Sequence, residues 1–314
     1  MSVPAISATG LRKSYGDKVV LDGIDLHVAT GTIFALLGPN GAGKTTTVNI
    51  LSTLAAPDAG TASVGGHDLA TDPDGVRTVI GLTGQFSAVD GLLTGQENLM
   101  LMADLHHLPR QEGRRRAAAL LEQFELGDAA KKTPTTYSGG MRRKLDLAMT
   151  LMGNPKVIFL DEPTTGLDPR SRRTMWEIIR ELVAGGVTIL LTTQYLDEAD
   201  HLADRIAVLD HGVLVAEGTA DELKRRVPGG HLQLRFPDSG SLTEAAHLLG
   251  VSTPDTEQLE LRVPTDGSVA SLRHVLTRLD AGAVEPDSLT VHTPDLDDVF
   301  LTLTGHATDK EPAR

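Results

Sequence analysis

The sequence predicts an α/β fold in which a largely parallel sheet is built around a phosphate-binding loop and a small α+β domain follows. Three observations carry this. The apolar run Ile33-Phe34-Ala35-Leu36-Leu37 reads as a buried strand and leads directly into Gly38-Pro39-Asn40-Gly41-Ala42-Gly43-Lys44-Thr45, a match to G-x-x-x-x-G-K-[ST]. Two further buried strands, Val157–Leu160 and Val187–Leu191, flank a helical Ser171–Ala184, the alternation of a parallel sheet. Beyond residue 229 both the periodicity and the charge change.

Taken in order, residues 5–28 alternate as two antiparallel strands around the turn Tyr15-Gly16-Asp17-Lys18. After the phosphate loop, a helix starting near Gly43 continues through Thr46-Thr47-Val48-Asn49-Ile50-Leu51. An inserted helical subdomain is expected over about residues 91–150, with Gln96–His107 and Arg110–Phe124 as its clearest helices. A helix at Ala220–Arg226 closes a core placed at 1–226, and Pro228-Gly229-Gly230 reads as a linker. In 229–305, strands at His231–Phe236, Gln258–Val263 and Ser288–His292 interleave with helices at Ser241–Leu249, Ser268–Leu279 and Leu296–Leu303, suggesting a ferredoxin-like α+β arrangement. Residues 306–314 read as a tail.

Length and a 40% apolar content support one large and one smaller core. Acidic residues outnumber basic ones 42 to 29, and the net charge of −13 argues against a nucleic-acid-binding surface. The stretch 231–314 holds 6 basic and 14 acidic residues, a net of −8, which marks it as a separate unit. With no cysteine, disulfides and thiolate metal sites are excluded. No run approaches the roughly 20 apolar residues of a membrane span, and the N-terminus shows no basic segment leading into an apolar signal core, so a soluble, cytoplasmic polypeptide is expected.

The loop's chemistry follows from its residue types. Gly38, Asn40, Gly41, Ala42 and Gly43 present main-chain N–H groups to a β-phosphate, Lys44 reaches the β- and γ-phosphates, the Thr45 hydroxyl coordinates Mg²⁺, and Thr46 lies in the first helical turn beside them. A glycine turn beside a solvated lysine is the plain alternative, and the flanking strand and helix argue against it. Asp161 and Glu162 end the strand Val157–Leu160 at the edge where open α/β sheets bind ligands. Asp161 would hold the metal through water, opposite Thr45, and Glu162 would orient or deprotonate the attacking water. Tyr137-Ser138-Gly139-Gly140-Met141 opens another helix, whose bare amides and serine hydroxyl suit an anion, although Ser-Gly-Gly is also an ordinary N-cap. His106, His107 and His211 lack neighbouring ligands at useful spacing, and Arg114-Arg115-Arg116 reads as a solvated helix face.

Over residues 5 to about 220 these motifs, in this order, resemble the ATP-binding subunit of ABC transporters: the phosphate loop Gly38–Thr45, a Q-loop glutamine at Gln85, the signature Tyr137–Met141, the second carboxylate motif Val157–Pro163, and the D-loop Gly166-Leu167-Asp168-Pro169. The tyrosine in the signature, the segment Thr192-Thr193-Gln194-Tyr195-Leu196-Asp197-Glu198-Ala199 and the ending Leu296-Asp297-Asp298-Val299-Phe300-Leu301 resemble the daunorubicin-resistance subfamily. That resemblance implies an ABC ATPase fold, with antiparallel and helical subdomains on a mixed sheet. It also implies ATP and Mg²⁺ as ligands and transport-coupled ATP hydrolysis for a drug or antibiotic exporter. Two copies would pair head to tail, so that Ser138, Gly139, Gly140 and Asp168 act in trans on the other copy's ATP. Tyr15 would stack on adenine, Gln85 would touch the metal or the water, and the region after 229 would regulate or dimerise. A separate integral-membrane permease, docked around Phe86–Leu99 and especially Leu92 and Leu93, would hold the chain at the cytoplasmic face of the membrane.

One position departs from the common pattern: Gln194 stands where most members of the family place a histidine beside the γ-phosphate. Glutamine donates a hydrogen bond there but carries no positive charge. A soluble ATPase acting on ribosomes or DNA is the rival reading, and a single cassette with an acidic balance and no long heptads disfavours it. A nucleotide-gated switch without turnover is the other, opposed by Glu162. No Asn-Lys-x-Asp motif supports a GTPase.

Overall fold

The hairpin of β1 (Ile6–Tyr15) and β2 (Lys18–Val28) turns through Gly16 at φ 59°, a conformation that glycine adopts without strain. The computed structural model describes residues 4–84, 88–227, 230–251, 254–265, 268–292 and 294–305, and divides into two units between Ala220 and Asp221. In the first, every residue of β3 (Ile33–Leu37) is buried, as expected of a strand covered on both faces. It is followed by the phosphate loop and α1 (Lys44–Leu51). With β4 (Ala59–Val64) and β5 (His67–Asp68) the hairpin forms an antiparallel sheet of order β2-β1-β4-β5.

A short α2 (Pro73–Val79), capped by the Asp72 carboxylate, feeds β6 (Ile80–Thr83). The helical region holds α3 (Gly95–Leu105), α4 (Arg110–Gln123) and α5 (Gly139–Leu151). Thr94 and Glu97 close a reciprocal capping box on α3, satisfying two amides the helix start leaves open. There follow β7 (Val157–Asp161), α6 (Pro169–Ala184), β8 (Thr188–Thr193), α7 (Leu196–Leu202), β9 (Arg205–Asp210) and β10 (Val213–Gly218), and the division into units falls after the first residue of α8 (Ala220–Lys224).

The central sheet runs β10-β9-β3-β8-β7-β6, parallel except for the edge strand β10. Phe34 and Leu36 of β3, Phe159 of β7 and Leu190 of β8 share one buried cluster with Leu21, Ile24 and Leu26 of β2, so the hairpin covers the sheet. The register fixes the site. Leu37 pairs with Thr193 and Asp161 with Thr192, which brings Gly38, Glu162 and Gln194, each the next residue along its strand, to one carboxyl edge.

The second unit alternates β11 (His231–Arg235), α9 (Ser239–Leu249), β12 (Glu260–Pro264), α10 (Val269–Ala281), β13 (Ser288–His292) and α11 (Leu296–Thr304). Leu232, Leu234 and Leu261 bury against Leu242 and Ala245 of α9 and Val275 and Leu279 of α10. The α+β character is as expected, whereas the ferredoxin-like detail is not met among the described residues. β11 lies between β12 and β13 and is antiparallel to both, giving three strands where a ferredoxin-like sheet has four. Between β12 and β13 the described chain forms α10, leaving no adjacent hairpin. Pro228, Gly229 and residues 306–314 lie outside the described residues.

Candidate functional site

The turn from β3 into α1 is shaped by what its glycines exclude. A Cβ on Gly38 would lie 2.2 Å from the Leu209 carbonyl oxygen, and one on Gly43 2.6 Å from Leu21 Cδ2. Gly41 and Gly43 also sit at φ 83° and 113°, where side chains are strained. The loop is therefore pressed against β9 and β2 with its backbone uncovered on the side away from them. Ala42 is buried and its carbonyl accepts from Gly212 N at 3.0 Å. Asn40 is exposed at the loop's outer side.

Lys44 is only 5% exposed, and its ammonium donates to the Gly38 carbonyl at 2.8 Å and the Pro39 carbonyl at 3.1 Å. Glu162 Oε1 lies 3.6 Å from the same nitrogen. Burial pulls the Lys44 pKa below its ordinary value, while Glu162 and Asp161 work in the other direction. Thr45 Oγ1 donates to Asp161 Oδ2 at 2.9 Å, and Thr192 Oγ1 donates to Asp161 Oδ1 at 2.5 Å. Thr46 follows in the first turn of α1.

Glu162 adopts φ 50°, a left-handed conformation that costs a non-glycine residue about 1–2 kcal/mol. Its N–H is held by the Thr192 carbonyl and hydroxyl, each at 3.1 Å, and the chain thereby leaves β7 with the carboxylate turned toward Lys44. Thr165 Oγ1 reaches Glu162 Oε2 at 3.4 Å. Gln194, the residue after β8, stands at the same edge.

Tyr15 ends β1, is 53% exposed and has the Lys13 ammonium 5.4 Å from its ring centre. Its exposed ring is open to stacking. Ser138 caps α5, its Oγ accepting from Met141 N at 3.2 Å. Tyr137 is buried beneath it and donates to the Ala129 carbonyl at 2.6 Å, which anchors the signature turn. Gly140 approaches Ser171 so closely that a Cβ would fall 2.6 Å from the Ser171 hydroxyl. Asp168 caps α6, accepting from the Arg170 and Ser171 amides at 3.0 Å and from the Ser171 hydroxyl at 2.5 Å. These bonds, the Ser171 hydroxyl first, hold its carboxyl below the usual range.

The structure thus brings together Gly38, Lys44, Thr45, Asp161 and Glu162, and sets Ser138, Gly139, Gly140 and Asp168 beside one another around the starts of α5 and α6. Gln85 lies outside the described residues. Three supporting residues were given no role by the sequence, although Thr192 and Glu198 lie in the segment Thr192–Ala199 that carries the subfamily resemblance. Thr192 bonds the Asp161 carboxylate and the Glu162 amide. Glu198, fully buried in α7 with its pKa raised by that burial, accepts from Thr164 Oγ1 at 2.8 Å and Trp176 Nε1 at 3.2 Å, tying α7 to the D-loop segment. Arg143 reaches from α5 to main-chain carbonyls at the strand ends. For the last, the Asp146 spaced three residues from Arg143 was the only hint in residue identity.

A phosphate loop, a strand-end Asp-Glu and a signature helix on one mixed sheet define a nucleotide-hydrolysing cassette. The family model described as ABC transporter matches residues 21–165. The chain belongs to the ABC transporter family, as an ATP-binding subunit. It is 50% identical, over 97% of both chains, to a daunorubicin resistance ATP-binding protein of Streptomyces coeruleorubidus, and 49% identical to the daunorubicin/doxorubicin resistance ATP-binding protein of Streptomyces peucetius, over 97% of this chain and 94% of that one. A linearmycin resistance ATP-binding protein of Bacillus subtilis is 36% identical over 96% of this chain and 98% of its own. Among solved structures, an ABC transporter ATP-binding subunit superposes with a TM-score of 0.64 at 32% identity, over 71% of this chain and 92% of that chain. A dimeric ATP-binding cassette in a post-hydrolysis state, bound to ADP and Pi, gives 0.62 at 26% identity, over 68% and 98%.

Proposed function

We propose that this ATPase energises export of drug- or antibiotic-like compounds by a separate permease, working as a head-to-tail homodimer at the cytoplasmic face of the membrane. The observation that carries the chemistry is the cluster at one sheet edge, with Lys44 3.6 Å from Glu162 and Thr45 2.9 Å from Asp161. The cargo class rests on the full-length similarity to resistance proteins.

In this reading the main-chain amides of residues 38–46 and the Lys44 ammonium bind and orient the β- and γ-phosphates, exchanging the ammonium's bonds to Gly38 and Pro39 for phosphate oxygens. Tyr15 stacks on the adenine. Glu162 Oε1 accepts a proton from the attacking water, and Gln194 donates a hydrogen bond to the γ-phosphate. Ser138, Gly139 and Gly140 of the second copy close over the same phosphates from a helix N-terminus, with that copy's Asp168 alongside. The donor set fits Mg²⁺. Thr45 and Asp161 present hard oxygens, and no group of three or more His, Asp or Glu among the described residues forms a full protein cage, as suits an ion held largely by phosphates and water. Thr45, Asp161 and Gln85 would hold it, and it would neutralise phosphate charge.

Replacing Gln194 with alanine is expected to lower kcat by about 10-fold or more while ATP affinity changes less than about 3-fold, because the lost bond matters most as charge develops. Steady-state hydrolysis beside nucleotide titration checks this, and unchanged turnover refutes the role.

Among the described residues no helix is long and apolar enough to cross a membrane, and the separate permease of this reading rests on the full-length similarity to resistance ATP-binding proteins. Leu92 is 89% exposed on a loop clamped by the buried Asn98, whose amide donates to the Asp90, Leu93 and Thr94 carbonyls and accepts from Asp90 N. In this reading the exposed Leu92 side chain meets an apolar surface of the permease. The pair L92A/L93A is expected to abolish co-purification with a multi-span membrane protein while the thermal unfolding midpoint stays near wild type. Retained co-purification would count against this surface, and ribosomes as the dominant partner of the wild-type chain would remove the exporter reading while leaving the ATPase.

A further inference from the structure

Arg143 stands in the first turns of α5, five residues after Ser138, and its side chain is 12% exposed. Its guanidinium faces main-chain oxygens almost entirely. Nε donates to the Pro163 carbonyl at 3.0 Å, Nη1 to the Gly84 carbonyl at 2.9 Å, and Nη2 to the Asp161 carbonyl at 3.2 Å, with the Glu162 carbonyl at 3.5 Å. Nη1 also pairs with Asp146 Oδ2 at 3.3 Å, and Asp146 Oδ1 accepts from Ala88 N at 3.1 Å. One buried ion pair on one helix therefore holds the strand end that carries Glu162 on one side and Gly84 and Ala88 on the other.

A planar fork of five donors can reach several carbonyls at once, which a lysine ammonium cannot reproduce. Burial opposes the Arg143 charge, and Asp146, Asp161 and Glu198 support it. A buried charge satisfied in this way fixes geometry more than it adds stability. The same helix begins with the Ser138 hydroxyl and the Gly139 and Gly140 amides, so a phosphate drawn to that N-terminus acts on the element that carries Arg143.

We propose that Arg143 is a positioning residue for ATP hydrolysis: by holding the carbonyls of Asp161, Glu162 and Pro163 to α5, it sets the place of the Glu162 carboxylate and links that place to the signature helix start. The link to the signature rests on the head-to-tail dimer, whereas the positioning of Glu162 does not.

The test compares full-length R143K and R143A with wild type in steady-state ATP hydrolysis, in binding of a non-hydrolysable ATP analogue and in thermal unfolding. In R143K, kcat is expected to fall about 10- to 100-fold, the scale of a reacting group displaced by about 1 Å, with analogue affinity within about 3-fold of wild type. R143A is expected to behave alike or worse. A kcat for R143K within about 3-fold of wild type would overturn the proposal. So would a loss of analogue affinity in proportion to kcat, or failure of both variants to fold, since either makes Arg143 a binding or purely structural residue. Sedimentation of E162Q with ATP separates the two layers. Absence of an ATP-dependent dimer would remove the link to the signature, and the R143K kcat would still decide whether Arg143 positions Glu162.

Discussion

Glu162→Gln is expected to reduce kcat by about 10²- to 10⁴-fold, the contribution of a well-placed general base, while ATP affinity is retained or rises. The substitution keeps the shape and the backbone. The φ of 50° and the two bonds from Glu162 N to Thr192 do not depend on the side-chain charge, so the amide should occupy the carboxylate's place. What it loses is the capacity to take a proton from water. It also removes a negative charge that lies 3.6 Å from Lys44 and faces the region where a triphosphate binds, which favours the bound state. The variant should therefore accumulate with ATP bound, readable as an ATP-dependent dimer in sedimentation. Turnover within about 3-fold of wild type would mean that another group, Gln194 or substrate itself, manages the water, and the acid-base assignment would fall.

The parts of this site that the sequence made legible are those whose chemistry is written in contiguous residues. Gly38–Thr45 after a five-residue apolar strand, and Asp161-Glu162 after another, each join a local pattern to a chemical requirement. The strands missed include β9 and β10, whose apolar runs are plain in the sequence, and two whose identity comes from their neighbours. Ile80-Gly81-Leu82-Thr83 is short and interrupted by glycine, yet it forms β6 because β7 offers a parallel edge; a Cβ on Gly81 would sit 2.5 Å from Thr150 of α5. In the same way Ala59–Val64 is weakly apolar and becomes β4 by pairing with β1, with Gly60 so close to Gly10 that a Cβ would lie 2.4 Å from its carbonyl oxygen. Arg143 was illegible for a different reason. Its acceptors are main-chain carbonyls, which leave no trace in residue identity, and a basic residue in a run of Arg142-Arg143-Lys144 reads as solvated until the helix is packed. Gln194 was legible through the family resemblance alone, which places a γ-phosphate residue at that position.

Replacing Lys44 with alanine is expected to weaken ATP binding by about 10- to 100-fold, the equivalent of one or more charge-assisted hydrogen bonds of about 1.5–3 kcal/mol. The ammonium is enclosed by the Gly38 and Pro39 carbonyls, which alanine leaves aimed at incoming phosphate oxygens, and by Glu162, whose charge then meets the triphosphate without a cation between them. Both effects oppose binding. The apo protein should suffer less, because burial pulls the Lys44 pKa down against Glu162 and Asp161, so its removal relieves a desolvation cost that offsets the loss of two neutral acceptor bonds and the ion pair with Glu162. Calorimetric titration with ATP and a thermal melt without nucleotide test the two halves together. Lost affinity with an unchanged melting midpoint is the signature of a binding residue. If affinity stayed within about 3-fold, the phosphates would have to be held by the amides of residues 38–46 alone, and the placement of Lys44 beside Glu162 would need another explanation.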